Sequence, residues 1–167
     1  WLMLIWGERL PIKISDKVVP FVKVYIHFVW STKNRYPFLR TKELRLKVWN
    51  HIRENAKKKG IFIDFVNGYT DHCHCLVSMG VDQTIQKVMQ LIKGESSFWI
   101  NKQDIFAALP PDSGIEKFEW QDEYFAASVS ASMLDKVRNY IKKQEEHHSK
   151  KHSLKNMKNL SKDMNLK

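Results

Sequence analysis

The sequence predicts a single α+β domain, an antiparallel sheet with helices on one face. Three observations predict it. Apolar residues recur at every second position over residues 21–31, which reads as a strand. They recur every three to four positions over residues 42–59, which reads as an amphipathic helix. Segments of the two kinds then follow one another in the order βαββαβα, and 167 residues with 43% hydrophobic content suit one domain with a filled core.

Each element has its own warrant. The first strand sets Val22, Val24, Ile26, Phe28 and Trp30 on one face. The helix from Lys42 to Lys59 carries Leu44, Val48, Trp49, Ile52 and Ala56 along one stripe and stops at Gly60, a residue suited to the left-handed turn that ends helices. Ile61 to Val66 and Tyr69 to Met79 read as a hairpin around Asn67-Gly68, with a second strand that could start a residue or two later. Asp82 suits the N-cap of a second helix through Ile85, Val88, Met89 and Ile92, with Gly94 as a point of interruption before Phe98 and Ile100. Residues 102–117, with Pro110-Pro111 and Asp112-Ser113-Gly114, read as a long loop. Phe118 to Ser130 is strand-like around Gln121-Asp122-Glu123, and Ser130 suits the N-cap of a third helix with Met133, Leu134, Val137 and Ile141 inward. This order fits a ferredoxin-like or RNA-recognition-like sandwich, an architecture that leaves function open.

Composition narrows the partners. Lys+Arg 28 against Asp+Glu 18 gives a net charge of +10, which favours anionic partners, nucleic acid foremost. Residues 149–167 hold six lysines against Asp163, so half the excess belongs to a basic tail and half to the body. In the body, Lys33, Arg35 and Arg40 stand beside Trp30, Tyr36 and Phe38. Cations interleaved with aromatics hold phosphates and stack bases, although a solvated turn over core aromatics explains this segment equally well. No run approaches the roughly 18 apolar residues of a membrane span. The apolar Trp1 to Trp6 lacks a basic flank and is short for a signal-peptide core of about 7–15 residues. The expectation is a soluble intracellular chain with no membrane partner. Cys73 and Cys75, one residue apart in a strand, exclude a disulfide scaffold.

The densest set of potential ligands is Asp71-His72-Cys73-His74-Cys75. In a strand, His72 and His74 face one side and the cysteines the other, so one metal cannot take both pairs. The cysteines read as small core residues. The imidazoles, with Cα atoms roughly 6–7 Å apart, can tilt onto one ion if a third ligand comes from elsewhere. Taken alone, such a pair is more often plain surface or core histidine. On the third helix Tyr140 and Gln144 stand at i and i+4 on one face, and His148 extends the row. By itself this row is explained by Tyr140 capping the apolar stripe and Gln144 in solvent. Joined to the histidine pair, it offers a candidate nucleophile one turn from a candidate third ligand, the set that metal-assisted phosphodiester transfer requires.

Four segments carry a resemblance: Val24 to Arg35, Asp71 to His74, Ile92 to Ser97 and Tyr140 to Gln144. In order and spacing they resemble the single-tyrosine transposases of insertion sequences 200 and 605, of the class named for a His-hydrophobe-His (HUH) motif on a central strand. The resemblance covers about residues 21–148 and implies that they form the catalytic domain, between an N-terminal extension of unknown role (1–20) and the basic tail (149–167). It implies that His72, His74 and Gln144 hold a divalent metal, magnesium or manganese ahead of zinc, and that Tyr140 is the nucleophile. It also implies single-stranded DNA with hairpins as substrate, a 5′-phosphotyrosine intermediate, no nucleotide cofactor, a homodimer, and action on DNA in a prokaryotic cytoplasm. Whether Tyr140 serves its own chain's site or its partner's stays open. Lys33, Arg35 and Lys93, inside the matching segments, are the expected DNA contacts. Cys73 departs from the pattern, standing where a larger aliphatic residue is usual, which touches packing rather than chemistry. Two other readings are a domesticated nuclease that processes genomic hairpins and a non-catalytic binder, which would need aromatic residues where the sheet offers His72 and His74. Tyr124 is the rival nucleophile, without an amide or imidazole at helical spacing.

Overall fold

The structure, a computed structural model, describes residues 22–103 and 117–149. In chain order its elements are β1 (Val24–Ser31), α1 (Lys42–Lys58), β2 (Phe62–Gly68), β3 (His72–Met79), α2 (Ile85–Lys102), β4 (Phe125–Val129) and α3 (Leu134–Lys142). The strands form one antiparallel sheet in the order β2-β3-β1-β4, the α+β domain that the patterning predicts. The N-terminal extension, most of the 102–117 loop and nearly all of the basic tail lie outside the described residues.

Local chemistry accounts for the helices. Thr41 caps α1 by accepting from the Leu44 amide, and Val48, Trp49, Ile52 and Ala56 are buried as their spacing requires. Gly60, at φ 71°, takes the left-handed turn that follows. The cap of α2 differs from expectation: Thr84, not Asp82, accepts from the Lys87 amide, and the helix runs unbroken through Gly94. Val88, Met89, Ile92, Ser96 and Ile100 keep one buried stripe across that glycine, whose cost of about 1 kcal/mol is too small to break an anchored helix. Before α3, Ser130 leads into a short 3-10 turn, Ala131–Met133, and its hydroxyl pairs with Ser132 rather than capping.

The hairpin also differs from its sequence reading. Asn67 and Gly68 lie inside β2, opposite His74 and Cys73, and the turn comprises residues 69–71. Outside contacts hold that turn: Thr70 O accepts from the Leu39 amide at 2.9 Å and Asp71 O from the Thr32 amide at 2.9 Å. Gly68 runs so close to its neighbour that a Cβ would collide with the His72 backbone. A bulge at Asp64 sets Ile63 opposite Val77 but Phe65 opposite Leu76. One extra residue reverses facing, so Ile63 and Val66 join the core below the sheet while Phe65 and Asn67 face the other side.

Two layers result. Under one face α1 and α2 pack on Ile26, Phe28, Trp30, Cys73, Cys75 and Val77. The sequence reading set every helix on that face; α3 instead crosses the opposite one. Leu134 and Ile141 pack on Leu76, flanked by Tyr25, Phe65 and Val129. The apolar side chains on that face need cover, and α3 supplies it.

Gly68→Ala should lower stability by about 1–3 kcal/mol, as forced overpacking does. Gly94→Ala, where an added Cβ meets nothing within 4 Å, should raise it by about 0.5–1 kcal/mol. Urea denaturation of both variants reads the difference, and equal effects would contradict the β2–β3 geometry.

Candidate active site

β3 delivers the alternation expected of it. Cys73 and Cys75 are fully buried toward α1 and α2, where burial pushes both thiols well above their usual range and leaves them unreactive. His72 and His74 face α3, each 7% exposed.

Both imidazoles are held through Nδ1. His72 Nδ1 meets Asp71 Oδ1 at 2.6 Å, and Asp71 Oδ2 in turn accepts from Arg35 Nη1 at 3.4 Å. The His72 bond, ahead of the Arg35 charge, holds the Asp71 carboxyl below the usual carboxylate range. His74 Nδ1 lies 3.1 Å from Nε2 of His27 on β1, and the two near-parallel rings meet through these nitrogens with centroids 5.3 Å apart. With Nδ1 engaged in each case, Nε2 is the ring atom left for an outside ligand. Burial, reinforced by His72, His27 and His148, lowers the His74 pKa to about 3, so its ring is neutral at physiological pH. Burial lowers the His27 pKa too.

The other half of the site comes from α3 and its continuation. The Tyr140 ring stands edge-on to His74 at 5.4 Å and to His27 at 6.3 Å, and Tyr140 is 48% exposed. The His148 ring lies 4.7 Å from His72 and stacks on Tyr69. Gln144, one turn from each, is 0% exposed; its Nε2 donates to Tyr140 O at 3.2 Å, while its Oε1 is buried with no hydrogen-bond partner. A buried amide oxygen left unpaired costs roughly 1–3 kcal/mol, a cost that a donor or cation brought to it would relieve.

Polar anchors hold this helix. Arg138 Nε donates to Asp64 Oδ2 at 2.8 Å, and Asn67 Nδ2 donates to the carbonyls of Ile141 and Lys142 at 3.0 and 3.1 Å. Buried Arg45 of α1 donates through Nε to Glu145 at 2.9 Å and through Nη1 to Leu39 O and Arg40 O.

Among the described residues, no three His, Cys, Asp or Glu side chains gather as a metal site. A divalent ion here would thus need a donor of another kind, and the unpartnered Oε1 of Gln144, a hard oxygen, fits that need.

The three expected DNA-contacting cations divide. Arg35 is largely exposed, and with Asn34 it adopts a left-handed backbone, φ 54° in both, within the 3-10 turn Lys33–Arg35. Lys33 pairs loosely with Asp122 at 3.4 Å. Lys93 is committed inward, its Nζ donating to the carbonyls of Gln121 and Asp122 at 2.6 and 2.8 Å, and burial lowers its pKa. Tyr124 rests against Phe28 and under Lys93.

Sequence reasoning passed over His27, Asn67 and Arg45. The available signal for His27 was its place between Ile26 and Phe28, opposite in facing to the buried residues of β1.

The model of the family described as "Transposase IS200 like" matches residues 20–144. The chain belongs to the IS200-like transposase family. Comparison with curated proteins gives no match. Among solved structures this family member is similar to a candidate transposase from Deinococcus radiodurans R1, at 21% identity and TM-score 0.56, over 78% of this chain and 98% of that one. It is also similar to a REP-associated tyrosine transposase bound to a REP hairpin, at 16% identity and TM-score 0.54, over 81% of this chain and 74% of that one. At these identities the likeness establishes the fold.

Asn67→Ala should loosen the attachment of α3 and not the sheet. Loss of the two bonds, at about 1 kcal/mol net each, should speed amide exchange in residues 134–148 by roughly thirty-fold. Exchange in β1 and β3 should hold, and uniform acceleration across the chain would contradict a local tether.

Proposed function

We propose that this transposase cuts and rejoins single-stranded DNA beside hairpins at the ends of a mobile element, with Tyr140 as nucleophile and His72, His74 and Gln144 as ligands of a divalent ion. The observation that carries the reading is the buried, unpartnered Oε1 of Gln144, flanked along its helix by Tyr140 against His74 and His148 against His72. When bound, magnesium or manganese supplies Lewis acidity to the scissile phosphate and its leaving oxygen.

The chain's own residues do the rest. Tyr140, half exposed with its ring edge against His74, is open to an incoming strand. Its hydroxyl oxygen attacks phosphorus, the bond to the 3′ oxygen breaks, and that oxygen leaves as a free 3′-OH while the 5′ phosphate stays on Tyr140. Another 3′-OH reverses the step and restores a phosphodiester, so no nucleotide cofactor is consumed. Asp71 and His27 hold the two imidazoles; Lys33 and Arg35 meet phosphates of the bound strand. Lys93 assists indirectly by fixing residues 121–122 beside Lys33. A chain of this kind works on DNA in the cytoplasm of a prokaryotic cell.

The packing of α3 on its own sheet supports Tyr140 acting in cis. The homodimer with exchanged helices that the resemblance implies is the competing arrangement. A domesticated hairpin nuclease would use the same chemistry and differ in the DNA flanking its gene. A non-catalytic binder is disfavoured, because α3 covers the sheet face on which bases would stack.

Oligonucleotides carrying hairpins from the gene's own flanks should be cleaved with magnesium or manganese and leave a denaturant-resistant protein–DNA adduct; equal cleavage in chelator would overturn the metal reading. Tyr140→Phe should abolish the adduct and keep metal binding, whereas Tyr124→Phe should keep both. Mixed Tyr140→Phe and His72→Ala proteins should stay inactive if the site is cis, while restored activity would establish exchange.

Binding should weaken with salt. Neutralising Lys33 or Arg35 should each lower the logarithmic salt slope by about 0.7 on single strands. An unchanged slope after both replacements would remove them from the interface.

A further inference from the structure

His72 and His74 are oriented by chemically unequal partners. Asp71 at His72 Nδ1 is a carboxylate and can only accept, so the His72 proton sits on Nδ1 and the lone pair on Nε2. At His74 the partner is another imidazole, His27 Nε2, 3.1 Å from His74 Nδ1. Register brings them together: His27 stands opposite Leu76, so His74, two residues earlier in β3, is its diagonal neighbour on the same face. The rings lie 22° from parallel with these nitrogens between them, and the Tyr140 ring closes on both at a steep angle.

A neutral imidazole carries one N–H, and the bond has two forms. If His74 donates from Nδ1, its Nε2 lone pair is free for a metal. If His27 donates from Nε2, the His74 proton sits on Nε2 and blocks ligation. We propose that His27 is a positioning residue that accepts the Nδ1 proton of His74 and so keeps the His74 Nε2 lone pair available to the divalent ion. The role rests on the reading of His74 as a ligand given above. It requires His27 to carry its own proton on Nδ1 and to touch neither metal nor DNA.

Two variants separate ring from acceptor. His27→Phe keeps a flat ring against His74 and removes the acceptor, whereas His27→Gln loses the ring and supplies an amide oxygen. Mn2+ binding, followed by electron paramagnetic resonance on protein whose melting curve shows it folded, should weaken in His27→Phe by roughly 10–100-fold, the usual cost of removing such an outer partner. His27→Gln should recover most of the affinity. Native binding in His27→Phe, or equal loss in a folded His27→Gln, overturns the role. Nitrogen NMR of metal-free native protein, labelled at histidine, gives a readout independent of metal and of either variant: His74 should be the Nδ1–H tautomer, and an Nε2–H assignment overturns the proposal even if His27→Phe fails to fold. If native protein binds no Mn2+, or if His72→Ala leaves binding unchanged, the ligand reading itself falls and takes this role with it. Altered Mn2+ affinity confined to the His27 variants leaves that reading standing.

Discussion

β3 is covered on both faces, and the rest of the molecule is arranged around that constraint. Two-residue periodicity sends Cys73, Cys75 and Val77 into the layer of α1 and α2, and His72, His74 and Leu76 toward α3. Thiols that could have competed for a metal are thereby removed from the histidines. Neighbouring strands must follow the same parity. The bulge at Asp64 achieves this for β2, bringing Asn67 onto the histidine face opposite His74 while Val66 stays in the core opposite Cys75.

The two layers are held by different physics. Beneath the sheet lies a continuous apolar cluster of residues from β1, β2, β3, α1, α2 and the loops, with Trp120 donating to buried Ser96 at 2.9 Å. Above it the apolar contact is small, Leu76 with Leu134 and Ile141, and directional bonds supply the remaining definition. Arg45 illustrates how far these reach. One buried guanidinium ties α1 to Glu145 and to the carbonyls of Leu39 and Arg40, and lies 5.1 Å from the Tyr69 ring centre. The hairpin turn and the helical segment after α3 therefore share an anchor in the opposite layer. Removing one partner of such a buried pair leaves a charge unpaired, so both ends are bound together in stability.

Electrostatics suit the proposed chemistry. A buried imidazole avoids charge, and the neutral ring that results has a lone pair to give. The cationic groups lie elsewhere: Arg35 in a largely exposed turn, Lys33 beside Asp122, and the half-buried Lys93 tied to backbone carbonyls. Asp71 bridges the two regions, accepting from Arg35 with one oxygen and meeting His72 with the other. A strand held at the Arg35 turn would therefore be mechanically connected to the histidine pair through a single carboxylate.

Local periodicity made much of this legible. The strand alternation of β1 and β3, the stripe of α1, the inward cysteines, the paired histidines and the Tyr140–Gln144–His148 row all depend on residues a few positions apart, and all are present in the fold. Motif spacing also identified the family. Other features depend on what meets what across the molecule. Asn67-Gly68 has the composition of a turn, yet contacts from Leu39 and Thr32 moved the turn to residues 69–71 and left Asn67 to hold α3. Asp82 and Thr84 are both able caps, and the helix's buried stripe selected Thr84. The face taken by α3 followed from apolar residues on all four strands that no single segment displays. His27 is an ordinary alternating strand residue until register sets it diagonally against His74. Which side of each element is apolar, and which side chains ride together, follow from backbone geometry within one element and can be read from residue order. Which of those faces meet cannot, because register, a one-residue bulge and the choice of sheet face are settled by the packing of distant segments.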